Sequence, residues 1–177
     1  VAKKTRENLK KEVEELKASN IKPKLAVIMV GDNAASKVYV KNKSKACDEI
    51  GIEFKEYRLP KETKQEEIIA LIKKLNNDKK VNGILLQSPL PKGLDIQEAF
   101  NTIDPDKDVD GLSLFPKVNP ATPQGIVTYL KDNIYDFKDK NVLIIGRSDL
   151  VGKPLANMLL KENCNVTIIH SKTSLDN

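Results

Sequence analysis

Lys43 stands out chemically because it is a charged residue on an otherwise apolar helix face. At 100° per residue, the helix predicted over 34–50 has one face about 140° wide. Besides Lys43, this face carries Ala35, Ser36, Tyr39, Val40, Ala46, Cys47 and Ile50. A partly desolvated ammonium has a lowered pKa, as a general acid or base needs near neutral pH, and Tyr39 lies one turn away. The alternative is a lysine that only extends to solvent from the edge of a buried stripe, and periodicity alone slightly favours it.

Gln87 opens the segment Q-S-P-L-P, residues 87–91, directly after the third predicted strand. In open α/β sheets ligands bind beyond the carboxyl ends of strands, where the amide of Gln87 offers both a donor and an acceptor. The alternative is a proline-rich turn with an incidental glutamine, which spacing alone favours.

The segment D-P-D-K-D-V-D-G, residues 104–111, has acidic spacing similar to a calcium-binding EF-hand loop. Calcium is excluded because the twelfth loop position is Lys117 instead of a glutamate, and no helix-loop-helix surrounds it. With one histidine and two separated cysteines in the chain, zinc also lacks ligands, so no metal site is predicted. What remains is an acidic loop in which one carboxylate binds the N–H groups of a ligand, or else a solvated turn.

The segment G-R-S-D-L-V-G-K-P, residues 146–154, joins a predicted strand to a helix. It is not a Walker A loop, because five residues separate its glycines and Pro154 replaces the magnesium-binding Ser or Thr. It matches the dinucleotide fingerprint only weakly: Gly146 fits the first position, Ser148 occupies the third, and Gly152 follows one residue after the sixth. Its place between strand and helix still predicts an anion site at a helix N-terminus.

The end of the next strand helps to choose the cofactor. A site for NAD usually has an acidic residue there for the ribose hydroxyl, whereas this chain has His170, Ser171 and Lys172. With Arg147 nearby, this strand end suits a 2′-phosphate, so NADP is favoured over NAD.

Strands and helices alternate along the chain, which predicts parallel α/β sheets. The predicted helices cover 1–19, 34–50, 63–76 (capped by Thr63), 95–101, 123–132 (capped by Thr122) and 152–162, and the strands cover 25–30, 52–59, 81–86, 141–146 and 165–170. A proline- and aspartate-rich stretch separates two α/β units. The second unit has only two strands, so we expect it to be part of a longer domain.

Composition excludes several classes of protein. With 40% hydrophobic and 31% charged residues in 177, the chain is too apolar to be disordered, and no run approaches the roughly 20 apolar residues that span a bilayer. A net charge of +5 favours anionic partners, but without Trp or an aromatic stacking pattern nucleic acid is a minor alternative. Two cysteines without a C-x-x-C motif fit a reducing cytosol.

Six segments together resemble the bifunctional methylenetetrahydrofolate dehydrogenase/cyclohydrolase family. They occur in the family's order and are spread over nearly all of the chain: V-G-D-N-A-A-S-K-V-Y-V-K-N-K-S-K-A-C (30–47), G-I-L-L-Q-S-P-L-P (83–91), D-K-D-V-D-G (106–111), P-A-T-P-Q-G-I (120–126), G-R-S-D-L-V-G-K-P (146–154) and H-S-K-T (170–173). One such motif would be weak support, whereas six in order are strong.

The resemblance implies an N-terminal three-layer α/β folate-binding catalytic domain over 1–122. It also implies a Rossmann-like NADP-binding domain, of which residues 123–177 are the first part. The implied reactions are NADP-dependent oxidation of 5,10-methylenetetrahydrofolate and hydrolysis of the methenyl product to 10-formyltetrahydrofolate. A cytoplasmic homodimer that acts on tetrahydrofolates, including polyglutamylated ones, is expected.

The resemblance also implies roles for individual residues. Lys43 becomes the general acid/base of the hydrolysis, Gln87 its hydrogen-bonding partner, Tyr39 a ring that stacks on the folate, and Asp110 a pterin ligand. The cofactor-binding set consists of Gly146, Arg147, Ser148 and Ser171. Two alternatives stay open: an NADP oxidoreductase for another small molecule, and a non-catalytic remnant that binds folate or nucleotide.

Overall fold

The computed structural model describes residues 2–133 and 136–174 and divides the chain into two compact units, Val1–Lys117 and Val118–Asn177. Each unit is α/β with parallel strands, which confirms the predicted fold class. The helices are α1 (Ala2–Ala18), α2 (Ala34–Ile50), α3 (Gln65–Asn77), α4 (Ile96–Thr102), α5 (Ala121–Asn133) and α6 (Gly152–Lys161); the strands are β1 (Lys24–Val30), β2 (Glu53–Leu59), β3 (Gly83–Gln87), β4 (Asn141–Ile145) and β5 (Asn165–Ile169).

The first unit is a three-layer sandwich around a parallel sheet with the strand order β2-β1-β3. Successive residues of β1 point to opposite faces of the sheet. Ala26, Ile28 and Val30 pack in one apolar cluster with residues of α3 and α4. Val27 and Met29 pack in another with Val40 of α2. Because β1 is covered on both faces, it is a continuous apolar run, as expected of a central parallel strand.

In the second unit, the two parallel strands β4 and β5 pack against α5 and α6 on one side. Val127 of α5, Ile144 of β4 and Leu159 of α6 belong to one buried cluster. The alternate residues of β4 are exposed, with Leu143 at 56% and Ile145 at 80%. The sheet of this unit is therefore buried on one face and open on the other.

Two predicted helix caps differ from the structure. Helix α3 begins after Lys64, whose N–H donates to Oε2 of Glu67 at 2.8 Å, so the predicted cap at Thr63 is wrong by one residue. Helix α5 begins at Ala121, before the predicted cap Thr122. Pro123 is accommodated in this first turn because the first four N–H groups of a helix have no intrahelical acceptor.

No helix in the described ranges, 2–133 and 136–174, is both long and apolar enough to cross a membrane.

The stability of the first unit should depend strongly on the helix layer that contains α3. Ile72 is 0% exposed in the cluster under the sheet, so Ile72→Ala should lower the free energy of unfolding by about 2–5 kcal/mol. Urea unfolding followed by far-UV circular dichroism would measure this. Val38→Ala is the control: Val38 is 58% exposed on α2, and its loss should change stability by no more than about 0.5 kcal/mol. Equal losses would contradict the layer assignment.

Candidate active site

Helix α2 fixes the position of Lys43. The helix begins where Oδ1 of Asn33 accepts the N–H of Ser36 at 3.0 Å, and it ends at Gly51, whose φ of +84° suits glycine. Its bounds agree with the predicted helix, but only one side of the predicted apolar face is buried. The buried residues are Ser36, Val40, Cys47 and Ile50. Tyr39 and Ala35 lie at one rim of the face and are exposed, whereas Lys43 lies between Ile50 and Ser36, within the buried stripe, and is itself half-buried.

Lys43 is hydrogen-bonded to Gln87. Its Nζ donates to Oε1 of Gln87 at 3.0 Å, which joins α2 to the carboxyl end of β3. Gln87 is 8% exposed, and its Nε2 donates to the carbonyl oxygen of Ser88 at 2.9 Å. Oγ of Ser36 donates to the same carbonyl at 3.2 Å. The amide of Gln87 is therefore oriented with its oxygen toward the lysine.

The acidic loop after α4 brings Asp110 within electrostatic reach of Lys43. This loop runs beside β3, where the N–H of Ile84 donates to the carbonyl of Lys107 at 2.7 Å. Burial lowers the pKa of Lys43, and the negative charge of Asp110 opposes that shift. Burial raises the pKa of Asp110, an effect that Lys43 opposes and Asp108 reinforces. Both shifts disfavour the charged forms, so the two pKa values lie closer together than in water.

Tyr39 is one helical turn before Lys43, and its side chain is open to solvent. The residue is 61% exposed, which is unusual for a tyrosine on the helix face that carries the buried stripe. The first unit therefore combines a half-buried amine, an oriented amide, a half-buried carboxyl group and an accessible aromatic ring.

In the second unit, the loop between β4 and α6 is folded tightly against the start of the helix. Gly146 has a φ of +126°, and its N–H donates to the carbonyl of Ile169 at 2.7 Å. A Cβ on Gly152 would lie 2.4 Å from the carbonyl oxygen of Gly146, so no side chain fits there. This close approach of loop and helix is what the last glycine of a dinucleotide loop provides, although here it falls one position later.

The predicted cofactor residues lie at the carboxyl ends of β4 and β5. Ile145 pairs with Ile169, so Arg147 and Ser171 each follow the paired position by two residues. Both are exposed. Oγ of Ser148 accepts the N–H groups of Val151 at 3.2 Å and Gly152 at 3.3 Å. A hydroxyl that accepts in both bonds still has a donor hydrogen of its own.

The groups at the carboxyl ends of β4 and β5 fit the phosphate groups of a dinucleotide. The space above Gly146 is open, since a Cβ there would meet nothing within 4 Å. An exposed guanidinium and two hydroxyl groups are the donors that phosphate oxygens accept. No cluster of three or more potential metal-ligating side chains occurs within the described part of the chain.

Asp108 is a buried charged residue that the sequence reasoning did not single out as functional. It is 4% exposed, and its carboxylate accepts three backbone N–H groups of its own loop. The available signal was an aspartate three residues before a glycine, a pattern typical of a side chain that caps its own turn.

Two family descriptions match consecutive parts of this chain. Residues 1–110 match the catalytic domain of tetrahydrofolate dehydrogenase/cyclohydrolase. Residues 120–177 match the NAD(P)-binding domain of the same family.

Curated relatives agree with this assignment. The chain is 49% identical to the bifunctional protein FolD of Acetivibrio thermocellus, over 96% of this chain and 63% of that protein. It is 45% identical to FolD of Geotalea daltonii, over 98% and 65%. The chain thus spans just under two thirds of the length of these relatives.

Solved structures of related enzymes have the same fold. The bifunctional FolD dehydrogenase/cyclohydrolase of Campylobacter jejuni superimposes with a TM-score of 0.94 at 41% identity, covering 97% of this chain and 64% of that one. The Trypanosoma brucei enzyme, complexed with NADP and an inhibitor, gives 0.92 at 30% identity, covering 99% and 63%. With both family domains matched in order over nearly all of its residues, the chain belongs to the tetrahydrofolate dehydrogenase/cyclohydrolase family.

Proposed function

We propose that this protein oxidises 5,10-methylenetetrahydrofolate with NADP⁺ and hydrolyses the methenyl product to 10-formyltetrahydrofolate, as part of one-carbon metabolism. The observation that carries the proposal is the hydrogen bond between the half-buried amine of Lys43 and the oriented amide of Gln87. Family membership supports the same reaction, and FolD proteins named as bifunctional are among the relatives.

The second unit supplies the groups for holding the cofactor. Bound NADP⁺ would supply the hydride acceptor for oxidation of the methylene carbon. The guanidinium of Arg147 would pair with the 2′-phosphate, and the hydroxyl groups of Ser148 and Ser171 would donate to phosphate oxygens. The bare backbone of Gly146 would let a phosphate approach closely. These residues place positive charge and donors after two neighbouring strands.

Lys43 is the acid/base of the hydrolytic step. Its neutral amine takes a proton from a water molecule as the oxygen attacks the methenyl carbon. The ammonium then gives this proton to the nitrogen that leaves as the C–N bond breaks, while the added hydroxyl loses its proton to solvent and becomes the formyl carbonyl. The lysine ends as the neutral amine, and one proton is released overall. Gln87 accepts a hydrogen bond from Nζ in either protonation state and keeps the amine directed at the substrate.

Tyr39 and Asp110 bind the folate. The exposed ring of Tyr39 stacks on the planar substrate, and the Asp110 carboxyl group bonds the N–H groups of the pterin. Residues 1–122 form the folate-binding catalytic domain, and 123–177 begin the NADP-binding domain. We further infer a cytoplasmic homodimer that accepts polyglutamylated folates; two free cysteines and the net charge of +5 are compatible with this.

Replacing the acid/base should stop hydrolysis without unfolding the protein. Lys43→Met should lower the cyclohydrolase rate by about 10²- to 10⁴-fold, which is what general acid/base groups contribute. The free energy of unfolding should change by no more than about 1–3 kcal/mol, because removal of a costly half-buried charge offsets the loss of the hydrogen bond to Gln87. Hydrolysis of supplied methenyltetrahydrofolate and urea unfolding measure the two effects.

Lys41→Met is the matched control, because Lys41 is an exposed lysine on the same helix, two residues away. It should retain both activity and stability. A Lys43→Met variant that unfolds would instead assign the lysine a structural role, and one with undiminished hydrolysis would contradict the mechanism.

The pH dependence should report the lowered pKa of Lys43. Because burial disfavours the ammonium form, the neutral amine that acts as the base is populated at lower pH than for a free lysine. The value of kcat/KM for hydrolysis, after subtraction of the uncatalysed rate, should therefore rise with pH to a plateau, with a midpoint below the ordinary lysine value of about 10.4. A midpoint at the ordinary value would contradict the lowered pKa of the base.

Removing the guanidinium of Arg147 should weaken the binding of NADP⁺ much more than the binding of NAD⁺. Arg147→Gln should weaken NADP⁺ binding by about 10- to 150-fold, corresponding to the loss of a hydrogen bond to a charged group. NAD⁺ lacks the 2′-phosphate, so its weaker affinity should hardly change. Titration calorimetry with each cofactor measures both constants, and equal losses would contradict the phosphate assignment.

A further inference from the structure

Asp108 organises the loop that carries Asp110. Its Oδ1 accepts the N–H of Asp110 at 3.2 Å and that of Gly111 at 2.9 Å, and its Oδ2 accepts the N–H of Ser113 at 2.9 Å. The proposed reaction assigns Asp108 no role. Asp108 is 4% exposed, and burial of a carboxylate costs free energy unless hydrogen bonds compensate for it. The three N–H bonds make the burial tolerable.

The residue before Asp108 anchors this loop to the rest of the unit. Nζ of Lys107 donates to the carbonyl oxygens of Leu75, Asn76 and Asp78, at 3.0, 2.7 and 2.8 Å, where α3 ends. The backbone carbonyl of Lys107 accepts the N–H of Ile84 in β3. The backbone entering the loop is therefore fixed on two elements, and the carboxylate of Asp108 holds the backbone that leaves it.

Asp110 lies between these fixed points. Its N–H is bonded to Asp108, and the next residue, Gly111, turns the chain with a φ of +66°. The charged groups that act on the Asp110 carboxyl are Lys43 on α2 and Asp108 within the loop. The backbone position of Asp110 is thus fixed by a turn that Asp108 closes.

We propose that Asp108 is a positioning residue for the folate site: by accepting the N–H groups of Asp110, Gly111 and Ser113, its carboxylate holds Asp110 toward Lys43. The inference rests on the proposed function for the task that it gives to Asp110. The geometry of the loop is independent of that function, so the two can fail separately.

The negative charge of Asp108 should be measurable in the titration of Asp110. Removing it should lower the pKa of Asp110, because a neighbouring carboxylate disfavours ionisation. Asp108→Asn removes the charge but keeps one oxygen, which still accepts the N–H groups of Asp110 and Gly111. Asp108→Ala removes all three acceptors.

The test is a pH titration of the Asp110 side-chain carboxyl carbon by NMR, together with amide hydrogen exchange, in the unmodified protein and the variants. The Asp110→Asn spectrum assigns the resonance. Asp106→Asn is the matched control, because Asp106 is an exposed carboxylate in the same loop that pairs with Lys117. No substrate is needed for either measurement.

In Asp108→Asn the Asp110 titration should move to lower pH, and only the Ser113 amide should lose protection. In Asp108→Ala the amides of Asp110, Gly111 and Ser113 should all exchange faster, and KM for folate should rise more than kcat falls. Asp106→Asn should leave all of these at the values of the unmodified protein.

An Asp108→Asn protein that titrates and exchanges like the Asp106→Asn control would overturn the proposal, even if Asp108→Ala does not fold. If the unmodified protein neither oxidises nor hydrolyses folates, the proposed function fails, yet the titration still decides whether Asp108 holds Asp110.

Discussion

The candidate site depends on keeping one amine half out of water. An ammonium loses hydration when it is buried, and the hydrogen bond from Lys43 to Gln87 and the charge of Asp110 only partly replace it. The three-layer sandwich creates this condition, because α2 covers β1 and β3 while all five residues of β3 are buried up to Gln87. A looser first unit would hydrate the lysine and return its pKa toward the ordinary value. Packing in this unit is therefore also what sets its acid/base chemistry.

The fold was largely predictable because its periodicities are strong. The run L-A-V-I-M-V identifies a strand covered on both faces, and α2 has the bounds that its pattern indicates. The site was less predictable. Helical spacing places Lys43 on the buried side but contains no information about Gln87, which is 44 residues away and meets it only through the β1–β3 pairing. The contact between Lys43 and Gln87 was expected from the family resemblance and not from local sequence propensity.

The features that sequence reasoning missed are those set by tertiary contacts. Thr63 has the residue type of a helix cap, yet it is buried at 8% exposure and the helix starts after Lys64. Asp108 looks like one of several solvated aspartates until its carboxylate is seen to accept three backbone N–H groups. In the second unit, the dinucleotide pattern is weak by spacing, but Gly152 still meets the carbonyl of Gly146 at a distance that excludes any side chain. A displaced glycine can therefore perform the same packing role.

The proposed hydrolysis also explains why two opposite charges share a partly buried site. Burial moves the pKa of Lys43 down and that of Asp110 up, while their mutual attraction moves each one back. The methenyl substrate is a cation, so its arrival next to Lys43 disfavours the ammonium and favours the neutral amine at the moment when a base is needed. Once water has added, that positive charge is gone, and the lysine holds the proton that it took from water until it passes it to the leaving nitrogen. Asp110 balances the substrate cation in the first state and the lysine cation in the second. Without Asp110, a protonated lysine would repel the cationic substrate, and a lysine fully paired with a carboxylate would stay protonated and could not act as the base.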